Sequence, residues 1–265
     1  MTLTLEALQQ KSILYRKTVL SIIKRANAGH TGGSLSCVDI LNVLYNHVLN
    51  VSPANFADPN RDRYIQSKGH SVEALYTVLA DQGFYPVEEL NTLNQYQSHF
   101  IGHPTRKVPG VEHNTGALGH GLPIAVGTAL AAKKDGRSFR VFTLLGDGEL
   151  EEGSNWEASM AAAHYKLDNL VVIVDYNKLQ ITGPIESVTG VTDLVQKFTA
   201  FGYAVREVNG NSIAELVAAF DPGPYRQGQG HQLHGKSGQL ASSCADGCRV
   251  CGGDGGVREI GRLGD

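Results

Sequence analysis

The chain has 265 residues, 42% hydrophobic and 18% charged, with a net charge of −3, which is enough to bury a full core as one large domain or one domain plus an appendage. This charge balance excludes an electrostatic grip on nucleic acid or an anionic membrane surface. No apolar run is long enough to span a bilayer, and the first twenty residues lack the apolar core of a signal peptide, so a cytoplasmic location is expected.

In chain order, Leu5 to Ala26 carries apolar residues at near-helical spacing and is predicted as a helix. It runs into Asn27-Ala28-Gly29-His30-Thr31-Gly32-Gly33-Ser34, predicted as a loop whose glycines let the backbone pass close to a ligand. A second helix is predicted over Asp39 to Leu49, then a proline-marked loop over Pro53 to Asn60. Arg63 to Gln66 reads as a short strand and Val72 to Gln82 as a helix. His70 thus falls where a strand gives way to a helix, the usual place for ligand contacts in an open α/β sheet. His103 lies between a glycine and a proline, hence in a turn. The run from His113 to Pro123 is glycine-rich and opens the apolar helix Ile124 to Lys133, where backbone N–H groups can meet an anion. Taken singly, these loop histidines read as solvent-exposed turn residues; as a set they favour a site.

Chemically the most specific stretch is Val141 to Leu179. An apolar run, Val141 to Leu145, stops at Gly146-Asp147-Gly148; a helical stretch follows, and a second apolar run, Leu170 to Val174, delivers Asn177 beyond its end. A diphosphate needs its charge neutralised, and Mg²⁺ does so with few protein oxygens, typically one or two of them side chains. Asp147 can present a carboxylate while Gly146 and Gly148 approach phosphates, and Asn177 and the Leu179 carbonyl can supply neutral oxygens. Asp147-Gly148 alone reads as an ordinary strand-helix turn; the paired strand ends, with Glu152 and Glu157 between them, favour a ligand site.

With these residues in view, the chain resembles the transketolases. The asparagine follows the GDG aspartate by thirty residues, as in the thiamine diphosphate signature. NAGHTGG, SKGHSVEALY, IGHP, NTGALGHG and GDGELEEGSNWEASMAAAHYKLDNLVVIVDYNKLQITG are similar to the family's loops, in the family's order, over Leu5 to Asp221. The resemblance implies an α/β fold, a mainly parallel sheet with helices on both faces, binding the diphosphate of thiamine diphosphate in residues 1–221. It implies Asp147, Asn177 and the Leu179 carbonyl as ligands of Mg²⁺ (or Ca²⁺ or Mn²⁺). Gly146, Gly148 and His70 would lie at the diphosphate, and Gly116, Ala117 and Leu118 against the cofactor. His30 and His103 would face a sugar phosphate substrate, and Glu152 and Glu157 would join a carboxylate network at a partner interface. The implied partner is a separate C-terminal transketolase subunit carrying the pyrimidine-binding domain; it would hold the glutamate that protonates the aminopyrimidine, leaving this chain inactive alone. The implied reaction is transfer of a two-carbon ketol unit between sugar phosphates.

From residue 222 onward the pattern fails. The tail to residue 265 loses periodicity and becomes glycine-rich, and an unstructured appendage is expected. Codons for it can be chosen so that the +1 frame reads KGKGISFMENQVNWHHRVPTD, which resembles the family's missing segment, so a frameshift near Pro222 is inferred. Cys244, Cys248 and Cys251 have C-x₃-C-x₂-C spacing but too little chain beyond them for the barrel such clusters serve. The competing readings are a 2-oxo-acid dehydrogenase subunit, which shares the metal motif, and a non-catalytic frameshifted remnant. A plain nucleotide-binding domain lacks its G-x-G-x-x-G.

Overall fold

Apolar runs without alternation are the mark of strands covered on both faces, and the two runs around the GDG turn behave so. In the computed structural model, which describes residues 3–180, 183–189, 193–221 and the backbone of 231–235, they form β2 (Val141–Gly146) and β3 (Leu170–Asp175). Parallel pairing joins β1 (Arg63–Gln66) to β2 and β2 to β3. Along β2, Phe142 and Leu144 point into one core while Val141 and Leu145 point into the other.

The first core is covered by α1 (Leu5–Ala26), α2 (Thr31–Val43), α3 (Val72–Asp81) and α8 (Ile213–Phe220). The second is covered by α4 (Gly121–Lys134), α5 (Gly153–His164) and α7 (Leu194–Ala200). Helices therefore lie on both faces of a parallel sheet, as expected. Helix α1 starts at a Thr4 cap whose hydroxyl accepts from the Ala7 N–H and ends at Asn27 in the left-handed region, φ 50°. A small hairpin, β4 (Leu179–Gln180) with β5 (Gly183–Pro184), and the short α6 (Ile185–Val188) follow β3. Among the described residues no helix is long and apolar enough to cross a membrane.

Two expectations need correction. The loop predicted over Asn27 to Ser34 is shorter: α2 begins at Thr31, so Gly32, Gly33 and Ser34 are helical. Burial of Ser34 through Tyr45 against α1 and α3 outweighs the weak helix preference of glycine. The helix then continues as a wide turn over Leu44–Val48. Second, five residues of the expected unstructured tail, β7 (His231–Gly235), form a strand, parallel to β3 on one side and to β6 (Ala204–Val208) on the other. Ladder pairing uses main-chain groups, so a polar segment can fill a slot between two strands that its side-chain pattern does not advertise. The sheet order is β1-β2-β3-β7-β6. The rest of the tail, with Cys244, Cys248 and Cys251, lies outside the described residues.

Phe142, 1% exposed and in ring contact with Phe220, tests the layered core. Phe142→Ala is expected to lower unfolding free energy by about 3–5 kcal/mol, read from the midpoint of urea denaturation.

Candidate active site

The candidate residues gather where β1, β2 and β3 end and the chain turns into helices or loops, the edge at which parallel sheets bind ligands. Gly146 is the register partner of Asp175, so Asp147 and Asn177 leave neighbouring strand ends. Asp147 is 2% exposed, and its carboxylate accepts from the N–H groups of Lys178 at 2.6 Å and Gly148 at 2.9 Å. Burial pushes its pKa up to about 6, against the pull of the Lys178 N–H; Asp175 adds to the rise, and the Gly148 N–H and Lys68 oppose it. The Asn177 carboxamide oxygen accepts from the Leu179 N–H at 3.0 Å, across Lys178 at φ 63°.

This donor set fits Mg²⁺. Among the described residues no three His, Cys, Asp or Glu side chains form a metal cage. Asp147, Asn177 and the Leu179 carbonyl offer instead a few hard oxygens, suited to a cation that keeps water and phosphate oxygens for its other positions. The nearby cation, Lys68, is already committed. Its ammonium, fully buried, sits 2.5 Å from the equally buried Asp175 and donates to the Gly33 carbonyl at 3.1 Å. Burial drives the Lys68 pKa down and Asp175 drives it up; the net direction is up, so the ion pair holds.

Three imidazoles converge beside this edge. His30 stands at the start of α2, His70 in the turn Gly69–Ser71, and His103 in the loop after Phe100. The His30 ring is 5.5 Å from that of His70 and 6.3 Å from that of His103, centre to centre. Burial, then Lys68 and the neighbouring histidines, push His70 down to about 3; burial and then His30 lower His103, while Glu73 acts the other way. His70 is therefore held in its neutral form and is no cationic anchor. Gly116, at φ 152°, lies so close to His103 that a Cβ there would sit 3.1 Å from the ring. Ala117 and Leu118 next to it are exposed, as are Glu152 and Glu157, while His113 and His120 stand exposed in their loops.

The backbone N–H groups expected to be open are largely taken. Glu149, 2% exposed, accepts from Gly119 N–H at 3.0 Å, Gly146 N–H at 3.1 Å and the Ser67 hydroxyl at 2.5 Å. One carboxylate thus ties together the exits of β1 and β2 and the loop before α4. The Gly148 N–H turns back to Asp147, and Gln180 packs where a Gly148 side chain would be. Sequence reasoning missed Lys68, Glu73, Glu149 and Asp175. The one signal for them was a charged residue at the end of an apolar run, as in Val174-Asp175.

Two predictions follow the electrostatics. Lys68→Met leaves Asp175 buried and unpaired and is expected to cost about 3–5 kcal/mol, with part regained in the Lys68→Met, Asp175→Asn double variant; urea unfolding of all three proteins checks this. The C2 proton of His70 is expected to stay unshifted by NMR from pH 8 to pH 5, whereas a solvated imidazole would titrate near pH 6.5, roughly.

Residues 9–226 match the family model described as transketolase, thiamine diphosphate binding domain. An apulose-4-phosphate transketolase subunit from Phocaeicola vulgatus is 45% identical over 228 residues, covering 86% of this chain and 81% of that protein. The 6-deoxy-6-sulfo-D-fructose transketolase subunit SqwG of Clostridium sp. is 39% identical over 223 residues, covering 84% and 81%. The crystal structure of Campylobacter jejuni transketolase superposes with a TM-score of 0.82 at 33% identity, over 88% of this chain but 38% of that longer one. These relatives are transketolases or their subunits, and the 2-oxo-acid dehydrogenase reading is not favoured. The match runs through the ends of β2 and β3 and all three clustered histidines, so the chain belongs to the transketolase family, as its thiamine-diphosphate-binding α/β domain.

Proposed function

We propose that this chain is the diphosphate-binding subunit of a split transketolase that moves a two-carbon ketol unit from a ketose phosphate to an aldose phosphate. The observation that carries the reading is the convergence, on one sheet edge, of a hard-oxygen donor set with three clustered imidazoles. Asp147, Asn177 and the Leu179 carbonyl would hold Mg²⁺, with Gly146, Gly148 and His70 beside the diphosphate. Gly116, Ala117 and Leu118 would lie against the cofactor. Thiamine diphosphate, when bound, supplies a nucleophilic carbon and an electron sink for cleaving the ketose carbon–carbon bond. His30 and His103 would orient the sugar hydroxyls by hydrogen bonds and move protons at the substrate oxygens.

Glu152 and Glu157 are exposed, which suits contact with a second chain. The names of the two relatives above speak of subunits. On this reading the partner brings the pyrimidine-binding domain and the acid that activates the cofactor, and the pair works in the cytoplasm. The tail from residue 222 carries the frameshift, which resequencing the 3′ end of the gene tests.

With thiamine diphosphate and Mg²⁺, the chain mixed with its partner is expected to turn over xylulose 5-phosphate or apulose 4-phosphate and not pyruvate, and the single chain is expected to be inactive. Turnover by the single chain would overturn the split-enzyme reading. Asp147→Asn is expected to weaken thiamine diphosphate binding by about 100-fold, the upper end of what loss of a supporting metal contact costs, measured by calorimetry in Mg²⁺ buffer.

A further inference from the structure

Helix α2 has no side-chain cap of its own and no acidic residue in its first turn, and it starts with His30 in the cap position. A helix start of this kind leaves N–H groups unpaired and a partial positive charge unanswered. The answer comes from another helix. Glu73, in the first turn of α3, is fully buried; its Oε2 accepts from the Ser34 hydroxyl at 2.7 Å and its Oε1 from the His30 N–H at 3.3 Å. The carboxylate lies so tightly against the chain that a Cβ on Gly29, at φ 151°, would fall 2.6 Å from Oε1. One residue of α3 thus pins both the residue before α2 and its first turn. Gly33, in that same turn, packs against the His70 ring.

We propose that Glu73 is the positioning residue for the sugar-facing end of the site: it caps α2 from outside and so fixes His30 relative to His70 and His103. A carboxylate is suited to this place because it accepts two hydrogen bonds at once and faces the positive end of the helix. Its charge also favours the protonated form of His103, where burial and His30 oppose it. Glu73 bonds to His30 and Ser34 and to none of the residues assigned to the metal or the diphosphate, so its direct effect falls on the substrate, and the diphosphate feels it only at second hand, through Gly33 against His70. The inference rests on the transketolase reading above, since it assigns His30 to the sugar.

The test uses the full chain with its partner subunit. Glu73→Ala is expected to raise KM for the ketose donor about tenfold, the scale of one lost hydrogen bond to a charged group, while the dissociation constant of thiamine diphosphate stays within about twofold. Glu73→Gln keeps an acceptor for the His30 N–H and a donor for Ser34, so it is expected to restore most of the donor KM. Ser34→Ala removes one of the two contacts and serves if Glu73→Ala does not fold; an intermediate KM is expected. In the isolated chain the His30 amide resonance is expected to shift in Glu73→Ala and much less in Glu73→Gln. An unchanged donor KM in Glu73→Ala and Ser34→Ala, or equal losses in donor and cofactor binding, would overturn the proposal. A wild-type pair inactive on ketose phosphates counts against the functional reading before any variant is made, and the amide shift then tests the anchor by itself.

Discussion

The buried ion pair between Lys68 and Asp175 is the constraint on which the rest of the site depends. Because β2 lies between β1 and β3, a bond from Lys68, the second residue after β1, to the last residue of β3 must reach across the exit of β2, just where Gly146 hands the chain to Asp147. The pair also holds α2 by its main chain, through the Gly33 carbonyl. Two charges withdrawn from water gain little over an apolar pair of the same volume, but separating them is costly. The pair therefore specifies geometry more than it adds stability. It also has an electrostatic consequence: two buried carboxylates, Asp147 and Asp175, share one lysine, and the lysine is bonded to Asp175. Asp147 is left with two backbone donors and a raised pKa, a site that a divalent cation would stabilise.

Glu149 and Glu73 extend the same logic outward. Each is a buried carboxylate whose partners come from different elements: Glu149 joins the exits of β1 and β2 to the loop before α4, and Glu73 joins α3 to the start of α2. Glycine-rich loops are loose by themselves, and the entropy of ordering them is large. Carboxylates that accept several N–H and O–H groups convert such loops into fixed geometry without adding bulk near the ligand. All of these donors and acceptors come from residues before Gln180. The strand β7, with β6 reached only through it, completes the far side of the sheet.

What was legible in the sequence follows from this division. The runs of β2 and β3 announced a doubly covered parallel sheet because they are apolar without alternation, and Asp147 and Asn177 could be located because they stand just beyond those runs. His30, His70 and His103 could be singled out as loop histidines, but their meeting could not. The hidden part is the set of pairings between distant positions: Lys68 and Asp175 are 107 residues apart, Glu73 and His30 43, Glu149 and Gly119 30. A glutamate on a helix reads locally as a solvated charge, and only the packing of α3 on α2 turns Glu73 into a cap. The early start of α2 has the same origin, since its first turn is stabilised from outside its own sequence. β7 escaped notice because its pairing is carried by the main chain.

The exposure pattern of the site bears on how it could work. The exits of β1, β2 and β3 are sealed at their base: Asp147, Glu149, Lys68 and Asp175 are all at most 2% exposed. The residues around that base are open, for His30, Ala117, Leu118, Glu152, Glu157 and Leu179 face solvent. Hydrogen bonds and charges acting on a substrate weaken when water competes for them, and reactive carbon intermediates need water kept out. On the proposed function, a chain with this asymmetry would anchor the diphosphate but would not by itself enclose a reacting sugar. Under the split-enzyme reading the second subunit therefore does two jobs: it supplies the missing acid, and it covers the edge on which the histidines stand. The exposed Leu118 beside the cluster, 38% accessible, would lose its contact with water as that cover closes, so closing the site and assembling the enzyme are favoured by the same buried apolar surface.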